Sequence, residues 1–111
     1  MAKLSDIEIA GKSGTKYSFG VYPYATDWKE IGAVYVVTKR TVKPNGPGTH
    51  TFIYVGQTDN LKERHASHHK ADCFKNMEAN CLCVCVEGSE KMRLSIESDL
   101  LASRSWPCNG R

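Results

Sequence analysis

The chain has 111 residues, the size of one domain, with 41% hydrophobic and 24% charged residues; that balance excludes a disordered or fibrous chain. Fifteen Lys and Arg against twelve Asp and Glu leave a formal net charge of +3, which permits nucleic-acid binding without demanding it. No apolar run reaches the length of a membrane span, and the start, Met-Ala-Lys-Leu-Ser-Asp, has no apolar signal segment, so a cytoplasmic location and no membrane partner are expected. Five cysteines, an odd number without such a signal, are expected to be reduced thiols.

In chain order, Ser5 to Ala10 alternates Ile7 and Ile9 with Asp6 and Glu8, and Gly11-Lys-Ser-Gly14 is a turn cluster before a second β-like run, Tyr17 to Tyr22. This predicts a hairpin. Pro23 to Glu30 is a connection. Gly32 to Thr38 is the clearest strand, Lys39 to His50 holds two prolines and predicts a loop or hairpin tip, and Phe52 to Val55 returns as the partner strand. Gly56 is placed for a backbone conformation closed to other residues. Thr58 and Asp59 are candidate caps for a helix from Asn60 to about Lys70. Asp72 to Asn80 is irregular or a short helix. Cys81 to Val86 is a third central strand, and Ser89 caps a helix to about Ser103 with Met92, Ile96 and Leu100 as its apolar stripe. Ser105 to Arg111 reads as an extended tail. The expected fold is α+β: a small antiparallel sheet, about three-stranded at its centre, flanked by helices. Residues 1–31 form an N-terminal hairpin and connection packed on a domain of residues 32–111, one globular unit in all.

Five short elements then fall in a familiar order. Ala33-Val-Tyr35 is followed by Tyr54-Val-Gly56, by Gln57-Thr-Asp-Asn-Leu61 leading to Arg64, by Arg93-Leu-Ser-Ile-Glu97, and by Pro107-Cys-Asn109. The set resembles the GIY-YIG nuclease family over roughly residues 32 to 109. The first triplet has Ala-Val for Gly-Ile, the second has Val for Ile, and the stretch 39–50 is longer than in the compact form. The resemblance implies a GIY-YIG-like fold and a metal-dependent endonuclease. In it Tyr35 is the general base, Tyr54 assists, Arg64 holds the scissile phosphate, Glu97 binds Mg²⁺ or Mn²⁺, and Asn109 orders the site.

The residue types suit that chemistry. Phosphodiester hydrolysis needs an activated water and stabilisation of the charge that develops on phosphorus. Tyr35 and Tyr54 share a sheet face if the register allows, although a tyrosine hydroxyl is a weak base unless a cation lowers its pKa from about 10. Arg64 offers a planar fork to phosphate oxygens; as an ordinary helix residue it would pair with Glu63 or Asp59. Glu97 supplies the carboxylate a hard cation needs; alternatively it pairs with Arg93 four residues earlier. Gln57, His65 and His68 are further candidates at the same corner, the histidines as phosphate contacts, with His65 also a candidate base. Lys39, Arg40, Lys43, Lys62 and Lys70 are candidate DNA contacts.

Two other readings compete. One is a nucleic-acid-binding module of the same fold with little cleavage. The other is a zinc- or thiol-based structural protein, but Cys81, Cys83 and Cys85 spread along ~13 Å of strand, too far for one ion, and read better as core. Substrate specificity, pathway and oligomeric state stay open, including a homodimer or a protein partner that supplies specificity.

Overall fold

The computed structural model describes residues 3–45 and 48–109. Among the described residues five strands, three α-helices and one 3-10 turn follow one another as β1 (Ser5–Ala10), β2 (Lys16–Pro23), β3 (Ala33–Val42), β4 (Gly48–Thr58), α1 (Leu61–Ala66), α2 (Ala71–Asn76), β5 (Cys81–Val86), α3 (Glu90–Ser103) and the turn Pro107–Asn109. The sheet is five-stranded rather than three, in the order β1-β2-β5-β3-β4, with every pairing antiparallel. The expected hairpin forms, and its second strand hydrogen-bonds to β5, so it extends the sheet. β5 is buried between β2 and β3, which is why Cys-Leu-Cys-Val reads as a continuous apolar run.

Each sheet face carries its own core. On one, Val34, Val36, Val55, Cys81 and Cys83 pack with Ile96 and Leu100 of α3 and with Trp106. On the other, Tyr35, Val37, Tyr54, Leu82 and Val84 pack with Leu61, Phe74 and Cys108. Burying each of Ile96 and Leu100 contributes about 2 kcal/mol. Ser89 caps α3 by accepting the Met92 N–H, as expected. Its buried stripe differs: Met92 is 49% exposed, while Arg93 is 4% exposed and joins Ile96 and Leu100. Asp99 then ties α3 to the hairpin, accepting from the Tyr17 hydroxyl at 2.7 Å and the Ser13 hydroxyl at 2.6 Å.

Several local expectations are corrected. The stretch 39–50 is the tip of the β3–β4 hairpin, one of its two readings, but carries more strand than expected, since β3 runs to Val42 and β4 starts at Gly48; Gly46 and Pro47 lie outside the described residues. β4 also runs through Gly56 to Thr58, and Gly56 has no positive φ. Asn60 is the cap of α1, its side chain accepting the Glu63 N–H, and α1 stops at Ala66 rather than near Lys70. The tail is not extended: Trp106 is buried, its indole N–H donating to Leu100 O at 3.0 Å, and the turn Pro107–Asn109 follows. Arg111, the last residue of the expected tail, lies outside the described residues.

The cysteines are the largest correction. Cys73 and Cys108 form a disulfide across 35 residues of sequence, and Cys81, Cys83 and Cys85 are free. The pairing depends on α2 and the C-terminal turn meeting on one sheet face, which residue spacing does not reveal. The three β5 cysteines are spread along the strand, and among the described residues no three His, Cys, Asp or Glu side chains are grouped to hold a metal ion.

Candidate active site

The register decides where the two tyrosines go. Tyr35 pairs with Gly56 and Val37 with Tyr54, so Tyr35 and Tyr54 emerge on the same face, their ring centroids 6.0 Å apart. Tyr35 lies across the strand from Gly56. A Cβ on Gly56 would stand 2.6 Å from the Tyr35 hydroxyl and 2.9 Å from the Tyr54 ring, closer than carbon can approach. Glycine is there for space, and the absent side chain lets Tyr35 cross the outer strand of the sheet.

Arg64 and Glu97 come to this corner from different elements. α1 follows β4 after two residues and presents Arg64, whose Nη1 donates to Gln57 O at 3.5 Å. Among the described residues Arg64 forms no ion pair, neither with Glu63 nor with Asp59. Burial alone pulls its pKa down, but the Tyr35 hydroxyl, Tyr54 and Asp59 outweigh that and leave it above its usual value. Glu97 is half-buried on α3. Burial raises its carboxyl above the usual range, opposed by the Gln57 backbone N–H and by Arg64.

Gln57 is the hinge of the arrangement. Its carbonyl accepts from Arg64, its backbone N–H bears on Glu97, and its side-chain oxygen accepts from Arg93 Nε at 3.0 Å. Arg93 also donates to Glu87 O at 3.0 Å. The alternative reading of Glu97, a helix pair with Arg93, therefore does not form; Arg93 turns inward and fixes α3 against the end of β4. Residue spacing gave no hint of this, since an arginine at that place on a helix reads as solvated.

His68 stands over the tyrosines. Its Nε2 lies 2.7 Å from the Tyr35 hydroxyl, and its ring meets that of Tyr54 edge-on at 5.0 Å. The Lys70 backbone N–H donates to His68 Nδ1 at 3.0 Å. A backbone N–H only donates, so Nδ1 accepts, and the proton of the neutral ring sits on Nε2. His68 is neutral at pH 7, because burial, then His69, Arg64, His65 and Lys70, push its pKa down to about 4. Nε2–H thus donates to the Tyr35 oxygen.

Two effects oppose one another at Tyr35. The side chain is 1% exposed, and burial followed by the Tyr54 charge raises its pKa well above the usual value, while Arg64 lowers it. Tyr54, 8% exposed, is raised first by burial, with the Tyr35 hydrogen bond and Arg64 working against it. Behind Tyr35 a cavity of about 10 Å³ lies among Tyr24, Leu61, Arg64, His68 and Phe74, at the lower bound for one water.

Asn109 closes the outer edge of β4. Its Oδ1 accepts the Val55 N–H and its Nδ2 donates to Val55 O, both at 3.0 Å. It mimics one residue of a further strand, next to Tyr54.

The other expected residues lie at the margin of this corner or away from it. His65 packs on Tyr24 at 4.8 Å and lines the cavity behind Tyr35 together with Arg64 and His68, and burial lowers its pKa. Lys39 is paired with Glu78 at 2.7 Å. Arg40 lies beside His50, its strand partner, and bears on Cys81 on the α3 face of the sheet. Lys43 and Lys62 are exposed, Lys70 half-buried. Comparison of the chain with protein-family models, with characterised proteins and with solved structures found no match.

Among the described residues Glu97 is the carboxylate that bears on both Tyr54 and Arg64. One hard oxygen donor beside an arginine suits a Mg²⁺ ion that keeps most of its shell as water and substrate phosphate.

Proposed function

We propose that the chain is a metal-dependent endonuclease that hydrolyses DNA phosphodiester bonds at the Tyr35–Tyr54–Arg64–Glu97 corner, with an active site of GIY-YIG type. The observation that carries the reading is the convergence of two tyrosines from β3 and β4, an arginine without a carboxylate partner from α1 and a carboxylate from α3. No common helix or hairpin would bring those four together for packing alone: the tyrosines belong to the core of one sheet face, and the arginine and the carboxylate, each part-exposed, come to them from separate helices.

In this reading Arg64 binds a non-bridging phosphate oxygen through its fork. Tyr35 takes a proton from the attacking water once it is a phenolate, and the His68 Nε2–H donor on its oxygen and the nearby Arg64 charge favour that form against the burial that opposes it. The Tyr54 hydroxyl orients the water or a phosphate oxygen. Glu97 would hold Mg²⁺ or Mn²⁺, which when bound supplies positive charge to the phosphate and the leaving oxygen. Asn109 and Arg93 touch no substrate; they hold β4 and α3 in register. Of the basic candidates, Lys43, Lys62 and Lys70 are those left for the DNA backbone, so binding weakens with salt. Lys39 is paired with Glu78, and Arg40 lies on the α3 face of the sheet.

The second reading is a DNA-binding module of the same fold, and the burial of Tyr35 favours it. The two separate on labelled duplex DNA with and without Mg²⁺. Metal-dependent cleavage by the wild type, abolished by Tyr35→Phe with binding retained, is expected of the nuclease. Binding without cleavage by the wild type is the outcome that replaces it with the module.

A further inference from the structure

We propose that the Cys73–Cys108 disulfide is a redox switch on the Tyr35–Tyr54–His68 corner, which holds the corner ordered when oxidised and loosens it when a small thiol of the glutathione class reduces it. Its activity readout rests on the nuclease reading; its structural readout does not.

The bond joins the two short pieces that support Tyr54 from different sides. α2 has six residues, no side-chain cap and one buried side chain, Phe74. The Phe74 ring lies 5.3 Å from that of Tyr54 and 4.8 Å from that of His68. A helix this short does not hold itself in water, so Phe74 and the disulfide hold it. Cys108 precedes Asn109, whose side chain takes both backbone groups of Val55, the neighbour of Tyr54. Breaking the bond frees α2 and the C-terminal turn together, and with them the ring against His68 and the clamp on β4.

The bond is also placed to respond alone. Cys81 and Cys83 belong to the core on the α3 face and Cys85 packs against it, whereas Cys108 belongs to the core of the opposite face. The sheet separates the three thiols from the disulfide. Burial holds those thiols protonated, Cys83 pushed up to about 12, so they are poor attackers. Access is asymmetric. Cys73 is half-buried and Cys108 is 1% exposed. An incoming small thiolate therefore attacks Cys73 Sγ; the protein S–S bond breaks, and Cys108 leaves as a thiolate that takes up a proton. A second small thiol displaces the first from Cys73, leaving Cys73 as a thiol and a small-molecule disulfide. Two electrons and two protons pass from two small thiols to the protein, and a small disulfide reverses the sequence.

The test equilibrates the full chain in glutathione and glutathione disulfide at several ratios, and reads amide exchange segment by segment alongside DNA cleavage. Reduction is expected to speed exchange at Val55 and across residues 71–76 by roughly tenfold and to lower cleavage by a similar factor. Both return on reoxidation. The response vanishes in Cys73→Ser and is untouched in Cys85→Ser. Equal exchange and cleavage in both states overturns the switch. So does a loss of protection spread through β3 and β5, which makes the bond a staple of the whole fold. An exchange response without cleavage in either state supports the switch and removes the nuclease reading.

Discussion

Gly56 and His68 show what single positions contribute here. The pattern Tyr54-Val-Gly56 was visible in the sequence, but the reason for its glycine was not: the requirement is room for the Tyr35 hydroxyl and not a special φ. Gly56→Ala is expected to lower stability by about 1–3 kcal/mol through overpacking and to displace Tyr35, which denaturant unfolding and a cleavage assay check together. His68 gives a pH dependence whose sign is fixed. Its folded pKa is lowered from 6.5 to about 4, so the unfolded chain takes up a proton that the folded chain refuses. Its stabilising contribution is complete above pH 6.5 and is lost as pH falls toward 4. His68→Gln should flatten unfolding free energy over that window while keeping a donor toward Tyr35. His68→Ala also removes the donor, and should move the alkaline rise of cleavage to higher pH. An unchanged profile in His68→Ala would remove His68 from the Tyr35 environment.

Elements were legible where their apolar period was strong. The hairpin, β5 and α3 stand where the alternation, the turn residues and the Ser89 cap put them. The ends were not legible where tertiary contacts set them. β4 runs past Gly56 because β3 pairs with it as far as Thr58. The last turn expected of α1 gives way to the His68–Lys70 contact. Arg93 replaces Met92 in the buried stripe because Gln57 and Glu87 offer acceptors there. Arg93→Met is expected to cost about 2 kcal/mol, since two acceptors lose a charged donor, and to weaken cleavage through Glu97 more than it weakens DNA binding. Asn109→Ala leaves the backbone groups of buried Val55 unpaired. It should cost about 1–3 kcal/mol and expose the Val55 amide to exchange while protection in β5 stays.

At the scale of the whole molecule, the antiparallel sheet makes the corner. Its order places β3 inside and β4 at the edge, so Tyr35 reaches outward over Gly56 while α1 and α3 bring Arg64 and Glu97 to that edge. The α+β class could be read from residue types in order along the chain. The fifth-strand connection through β2 and β5, the disulfide and the buried Arg93 could not, because each is a meeting of distant segments that no local pattern encodes. For the same reason, the basic residues selected by charge alone divide between two faces of the sheet.

The most direct test of the central claim is nicking of supercoiled plasmid in Mg²⁺ by the wild type, Arg64→Ala and Glu97→Ala, each shown to be folded. Metal-dependent nicking by the wild type, reduced about a hundredfold or more in both variants, is the expected result. Nicking that survives Glu97→Ala, or no nicking by the wild type on plasmid, branched or single-stranded DNA, would contradict the assignment of this corner as a nuclease site.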